Sequence, residues 1–324
     1  MRRIVRHARR CLAVGLVLGA AGLSSLIEPR SALAQAQGAG ATRNSAFFRQ
    51  AQKELPGSYY FLYRVVDRLA RANDLDKGPW RVVRMPEYDI NAYATQVNLI
   101  AVYTGLLDVL AGDSDAMACV IGHEMAHHVK RHIPLKNKDL ALAKQRLEAK
   151  KNDILAKEQK RQASARGWSL LGGIVGAATG VSIPITPVPQ ADPEQMQQEL
   201  LGAAKVEDQN LVLTSQRHEF EADKEGFHYM VRAGFDPKGC LRVMEALGRT
   251  PGAEFDSDHP AIPRRTAELE AMVQDPATSK LAAEGRARLL GSSALTYSLS
   301  ADGESLRINS RFGSSKAGFQ MNDL

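Results

Sequence analysis

The chain has 324 residues, of which 44% are hydrophobic and 24% charged, ample for one large domain with its own core. Its formal charge of +6 is misleading: residues 1–34 carry six Arg and one Glu, which leaves about +1 for the remaining 290 residues. The basic balance therefore belongs to the leader, and nucleic-acid binding loses its only compositional support.

In chain order, Arg2, Arg3, Arg6, Arg9 and Arg10 precede a weakly apolar run over 11–27, and Ala32-Leu33-Ala34 offers an A-x-A cleavage site. This predicts an export leader over 1–34, cleaved after Ala34. Residues 35–43 are small and polar. Helices are expected over 45–55 and 58–72, the second carrying Tyr59, Leu62, Val66 and Leu69 at helical spacing. After the Gly78-Pro79 break, 80–85 and 92–103 read as short strands of a small sheet.

Residues 123–127 read His-Glu-Met-Ala-His. Residues four apart share a helix face, so His123 and His127 can offer two imidazole nitrogens to one metal ion. Glu124 lies about 100° round the helix, within reach of a metal-activated water without ligating the metal. Two neutral ligands, one zinc ion and a carboxylate form the minimal apparatus for zinc hydrolysis. Asp113, Ser114 and Asp115 offer N-caps, the stretch 117–121 is apolar, and Lys130, Arg131 and His132 suit a last turn that Pro134 is expected to end.

A solvated helix rich in Lys, Glu, Ala and Gln follows over 136–166, with one sticky face and Leu140, Leu147 and Leu155 but no sustained heptad. From Trp168 to Ile183 there are sixteen residues without charge, with Gly172, Gly176 and Gly180 at G-x-x-x-G spacing. A membrane span needs about 20 apolar residues, and a single crossing here would put His127 and Glu219 on opposite sides of the membrane. The stretch is therefore read as a buried helix, a flap over the cleft, or a patch touching a membrane surface. Pro184, Pro187, Pro189 and Pro193 mark an extended loop.

Residues 214–226 read as a second helix with Glu219, Glu221 and Glu225 available as a third ligand. Glu219 and Asp223 stack one turn apart, while Glu221 points about 200° away. Gly234 to Pro237 stops and restarts the helix. Two cysteines stand outside the leader, Cys119 and Cys240; a disulfide and buried free thiols are both open, and without C-x-x-C spacing neither is a zinc ligand. His259-Pro260 sits in a loop before a helix over 264–274, and 294–300 and 304–311 flank Asp302-Gly303, a hairpin signal.

H-E-M-A-H with H-E-F-E-A-D, Asn91-Ala92-Tyr93-Ala94 and Thr104-Gly-Leu-Leu107 together resemble metallopeptidase family 48, over roughly 45–272. That family includes HtpX-type and CAAX-prenyl proteases and periplasmic proteases of outer-membrane protein quality control. The resemblance implies Glu219 as third zinc ligand, Asp223 beneath the ligands, and His259 and Arg265 as residues that either support the ligands from behind or regulate the site, although Thr266 stands where an aliphatic residue is usual. Side-chain neighbours favour Glu219 too: Ala222 beside Asp223 permits close helix packing, whereas Lys224 beside Glu225 suggests solvent. The resemblance further implies a periplasmic enzyme acting on misfolded or stalled envelope proteins. Residues 276–324 show none of the helical repeats that members often carry there.

The expected fold is α+β: a mostly helical, gluzincin-type zinc metallopeptidase domain over 35–275, with a small sheet beside the His-Glu-x-x-His helix and a C-terminal extension over 276–324. Asn91, Ala92, Tyr93 and Ala94 are expected to pair with an extended substrate. The rival reading is a chaperone-like assembly factor whose zinc site His259 keeps closed.

Overall fold

The computed structural model describes residues 43–95, 97–179, 193–249 and 262–313. The leader, the Pro-rich stretch up to residue 192 and His259 lie outside the described residues, whereas Pro193, expected in the loop, stands at the first position of a helix, where its missing N–H costs nothing. The order is α1 (43–54), α2 (Gly57–Ala72), β1 (Trp80–Met85), β2 (Ala92–Ala94), β3 (Leu99–Tyr103), α3 (Thr104–Leu110), α4 (Ser114–Val129), α5 (His132–Thr179), α6 (Pro193–Arg232), α7 (Lys238–Arg249), α8 (Ile262–Gln274), α9 (Ala277–Leu290), β4 (Tyr297–Leu299) and β5 (Ser305–Ile308). The fold is mostly helical, with one five-stranded sheet among the described residues in the order β2-β3-β1-β5-β4. β1 and β3 run parallel with Val82 opposite Ile100, and the other pairings are antiparallel. The stretch 92–103 is two strands, because Asn98 adopts φ 54° and turns the chain between them.

The core lies between the sheet and the helices. Leu62 and Leu69 of α2, Val82 and Ile100 of the sheet, Met117, Ile121 and Met125 of α4, and Met230 of α6 are all fully buried. Each such side chain contributes about 1.5–3 kcal/mol relative to exposure. The C-terminal segment joins this core: β5 pairs with β1, Leu306 and Ile308 are fully buried, and the buried Tyr63 hydroxyl donates to the Leu295 carbonyl at 2.7 Å.

Asp113 caps α4 by accepting from the amides of Asp115 and Ala116. The helix does not run to Pro134. It stops at Val129, Arg131 takes φ 60°, and α5 starts at His132. Pro134 falls in the first turn of α5, where its missing N–H has no partner to lose. α5 and α6 form a long antiparallel arm, tied by Arg146 to Glu207 at 3.3 Å and by Lys150 to Glu199. The buried seam of α5 is Ala143 and Ile154; Leu140 and Leu155 are exposed, unlike the sticky face expected of them. At 1.5 Å per residue, Trp168 lies about 50 Å along α5 from His132. The start of the uncharged stretch thus continues the arm; its side chains lie outside the described residues. No helix among the described residues is long and apolar enough to cross a membrane.

A disulfide joins Cys119 of α4 to Cys240 of α7. It settles the cysteine question left open by spacing.

Candidate metal centre

Helical periodicity puts His123 and His127 on one face of α4, with ring centroids 4.6 Å apart. The face meets α6 at a backbone-to-backbone crossing of Gly122 and Gly226. A Cβ on Gly226 would lie 2.6 Å from the His123 amide nitrogen, and one on Gly122 would lie 2.8 Å from the Gly226 carbonyl oxygen. This close approach delivers Glu219 to the two imidazoles. Its carboxylate oxygens stand 3.3 Å from His123 Nε2 and 3.2 Å from His127 Nε2, and the two nitrogens are 3.0 Å apart. All three residues are buried. They form the group of His, Cys, Asp and Glu among the described residues able to hold a metal ion.

The donor set fits zinc. Ligands at about 2.0–2.1 Å in a tetrahedral shell sit about 3.3 Å from one another, close to the spacings found. The second ring nitrogens are occupied, which leaves both Nε2 atoms facing the same point. His123 Nδ1 is 3.0 Å from Asp223 Oδ1, and His127 Nδ1 is 3.0 Å from His132 Nδ1. Arg265 holds Asp223 with two bonds, at 2.6 and 2.7 Å, and approaches Glu219 at 3.4 Å.

The electrostatics favour a cation. Burial works against a charged His123, but Asp223 and then Glu219 outweigh it and raise the pKa to about 10. Burial likewise opposes ionised Asp223, yet Arg265 and His123 pull it down to about 2. Burial holds His132 below the ordinary histidine value, against the pull of Glu221.

Of the three glutamates offered by α6, only Glu219 enters this cluster. Glu221 is 2.9 Å from Lys130 and 3.2 Å from His132, and Glu225 is 3.0 Å from Lys130. Lys130 therefore gathers the face of α6 on which Glu221 and Glu225 stand.

Glu124 is buried and lines two cavities that meet at the cluster. One is bounded by Asn91 and Ala92, His123, and the apolar side chains of Leu106, Val243, Met244 and Leu247. The other is bounded by Tyr93 and Ala94, His127, His132, Lys136 and His218. Successive residues of the edge strand β2 thus flank both sides of Glu124. The strand is fixed there by the His128 ring on the Thr95 carbonyl at 3.1 Å and by the Tyr103 amide, which donates to the Asn91 carbonyl at 3.1 Å.

Peptidase family M48 matches residues 61–273, which spans α4, α6, β2 and Arg265. The chain belongs to that family. Metalloprotease LoiP of Escherichia coli K12 is 31% identical over 180 residues, 55% of this chain and 56% of LoiP. The mitochondrial metalloendopeptidase OMA1 of Arabidopsis thaliana is 38% identical over 64 residues, 20% of this chain and 13% of OMA1. The chain thus spans about half or less of these curated relatives. No solved structure matches it.

Two features of this M48 site had no reading in the sequence. His132 counted only as positive charge in a last turn, and the Gly122–Gly226 crossing was unmarked. Glycine three residues after Asp223, and another one before His123, was the signal available for the crossing.

Proposed function

We propose that the chain is an exported zinc metalloendopeptidase that cleaves extended segments of envelope proteins. The observation that carries this reading is the placement of buried Glu124 beside the His123, His127 and Glu219 cluster, with β2 running past it between two cavities. His123, His127 and Glu219 would hold the ion, which when bound supplies Lewis acidity that activates water and polarises a carbonyl. Glu124 takes the proton of the attacking water and passes it to the leaving amine. Asp223 keeps His123 Nδ1 engaged, and Arg265 keeps Asp223 ionised. Substrate lies along Asn91, Ala92, Tyr93 and Ala94 by main-chain pairing, which demands extended chain and little sequence, as suits unfolded substrates. The cavity lined by Val243, Met244 and Leu247 accepts an apolar side chain next to the scissile bond.

Export is supported by the leader pattern over 1–34 and by the Cys119–Cys240 disulfide, which persists in oxidising compartments such as the periplasm. The relatives are metalloproteases by name, which supports the activity and says nothing of substrate.

Glu124→Gln tests the reading. The variant should bind zinc stoichiometrically while hydrolysis of an unfolded protein such as reduced casein falls by about 10²–10⁴-fold. Undiminished cleavage by the purified variant would remove Glu124 from the chemistry.

A further inference from the structure

The break between α4 and α5 has a chemical consequence. In an unbroken helix His132 would stand about 140° round from His127, out of contact. Instead Arg131 adopts φ 60°, a left-handed backbone that costs a non-glycine residue on the order of 1 kcal/mol. The turn brings His132, the first residue of α5, back so that its Nδ1 lies 3.0 Å from His127 Nδ1. His132 is 3% exposed, its ring is stacked on His218 at 4.4 Å with 7° between planes, and its Nε2 is 3.2 Å from Glu221 Oε2. Lys130 Nζ holds the other Glu221 oxygen at 2.9 Å.

Hydrogen-bond polarity leaves one arrangement of protons. A neutral His127 that offers the Nε2 lone pair to the cluster must carry its proton on Nδ1. That N–H donates to His132 Nδ1, which must therefore be bare. His132 then carries its own proton on Nε2 and donates it to Glu221, whose charge Lys130 fixes. The chain Lys130–Glu221–His132–His127 mirrors Arg265–Asp223–His123 on the opposite side of the cluster, with one extra imidazole interposed.

We propose that His132 and Glu221 are positioning residues of the metal centre: together they fix the tautomer and ring orientation of His127 and raise its basicity as a ligand. The proposal rests on the metal-site reading above. Groups that hold a ligating imidazole through its second nitrogen typically govern 10–100-fold in metal affinity.

The test uses the full exported chain and Zn2+ alone as probe, with affinity read by competition against a chromophoric chelator. The absorption spectrum of the Co2+-loaded protein reports ligand orientation, and the melting temperature of the metal-free protein reports structure. His132→Leu should weaken Zn2+ binding by about 10–100-fold and shift the Co2+ bands. His132→Asn, whose amide oxygen can occupy the place of Nδ1 and accept from His127, should recover most of the affinity. Glu221→Leu alters a half-exposed side chain, so it should weaken Zn2+ binding with little change in metal-free melting. Folded His132→Leu or Glu221→Leu with native affinity and Co2+ spectrum would overturn the proposal. So would equal losses in His132→Asn and His132→Leu, since packing and not the acceptor would then be responsible. Should His132→Leu not fold, the Asn and Glu221 variants decide alone. Failure of the underlying reading is distinguishable: unaltered chain would take up no stoichiometric Zn2+, or Glu219→Gln would bind it as well as the parent.

Discussion

Substituting Gly226 by Ala adds one methyl group, 2.6–2.8 Å from three backbone atoms of α4: His123 N, Gly122 C and His123 Cα. Because the neighbours are backbone, no rotamer change can relieve the contact. Restoring an ordinary separation of about 3.4–3.8 Å requires the helices to part by about 1 Å. Overpacking of this kind costs about 1–3 kcal/mol. The larger effect falls on the metal centre, because α4 supplies His123 and His127 while α6 supplies Glu219 and Asp223. A 1 Å parting carries the His123–Asp223 contact from 3.0 Å towards 4 Å, outside hydrogen-bond range, and opens the donor triangle. Zinc affinity should fall by at least about 10-fold, as expected for loss of a group holding a ligand. Turnover at saturating zinc should fall by about 100-fold, the usual consequence of misplacing reacting groups by 1 Å. Gly202→Ala is the matched control: it lies on the same helix, and a Cβ there meets nothing within 4 Å. That change should be neutral or stabilising by up to about 1 kcal/mol. Zinc titration, casein hydrolysis and thermal melting of the two variants side by side decide the matter. If Gly226→Ala binds zinc and cleaves like Gly202→Ala, the close crossing does not hold the site together.

Three further outcomes are expected. In metal-retention assays Glu219→Gln should lose zinc, whereas Glu221→Gln, which can still accept from His132, should retain it at stoichiometric concentrations; the reverse would mean that α6 presents its other face. In the metal-free protein His123 is protonated up to about pH 10, so it stabilises the fold fully below the ordinary histidine value of about 6.5 and progressively less as pH rises to about 10. Zinc must expel that proton, so calorimetry at pH 7.5 in buffers of different ionisation enthalpy should show about one proton released per zinc, and affinity should rise with pH; buffer-independent heats would refute this. Replacing both Cys119 and Cys240 by Ala opens a loop of sequence separation 121, worth about 5 kcal/mol in the chain-entropy limit, so melting should fall by roughly 10 °C; an unchanged melting temperature would show the link to be idle.

Much of the architecture was legible because it is periodic. α2, α4 and the ligand-bearing part of α6 carry apolar or ligating residues at helical spacing, and Asp302-Gly303 marks the β4–β5 hairpin. What periodicity does not carry is partnership between distant segments. Nothing in 305–308 says that it pairs with β1, and that pairing makes the C-terminal segment part of the main sheet. The α5 seam departs from the leucine pattern for a related reason. Leucine is the stronger hydrophobic signal, but antiparallel helices packed closely along an arm use small residues, so Ala143 is buried while Leu140 faces solvent.

At the metal centre the division is sharper. His123, His127, Glu219 and Asp223 stand at i, i+4 spacings within single helices, so their grouping by face follows from helix geometry alone. Arg265 is marked only by the family resemblance, because its bond to Asp223 spans forty-two residues of sequence. His132 was hidden by the opposite problem: it is five residues from His127, too near to be considered separately and at the wrong spacing to share a face. Only the left-handed turn at Arg131 brings the two rings together, and Arg is not a residue whose identity announces such a turn. Pro134 compounded the error, since a proline five residues past Val129 reads as a helix end when it stands in the first turn of the next helix. His123 thus meets Asp223, which helix spacing stacks on Glu219, whereas His127 meets His132 through the turn between α4 and α5. A mutation that merely straightened residues 129–132 into continuous helix would improve local propensity while withdrawing the acceptor from His127.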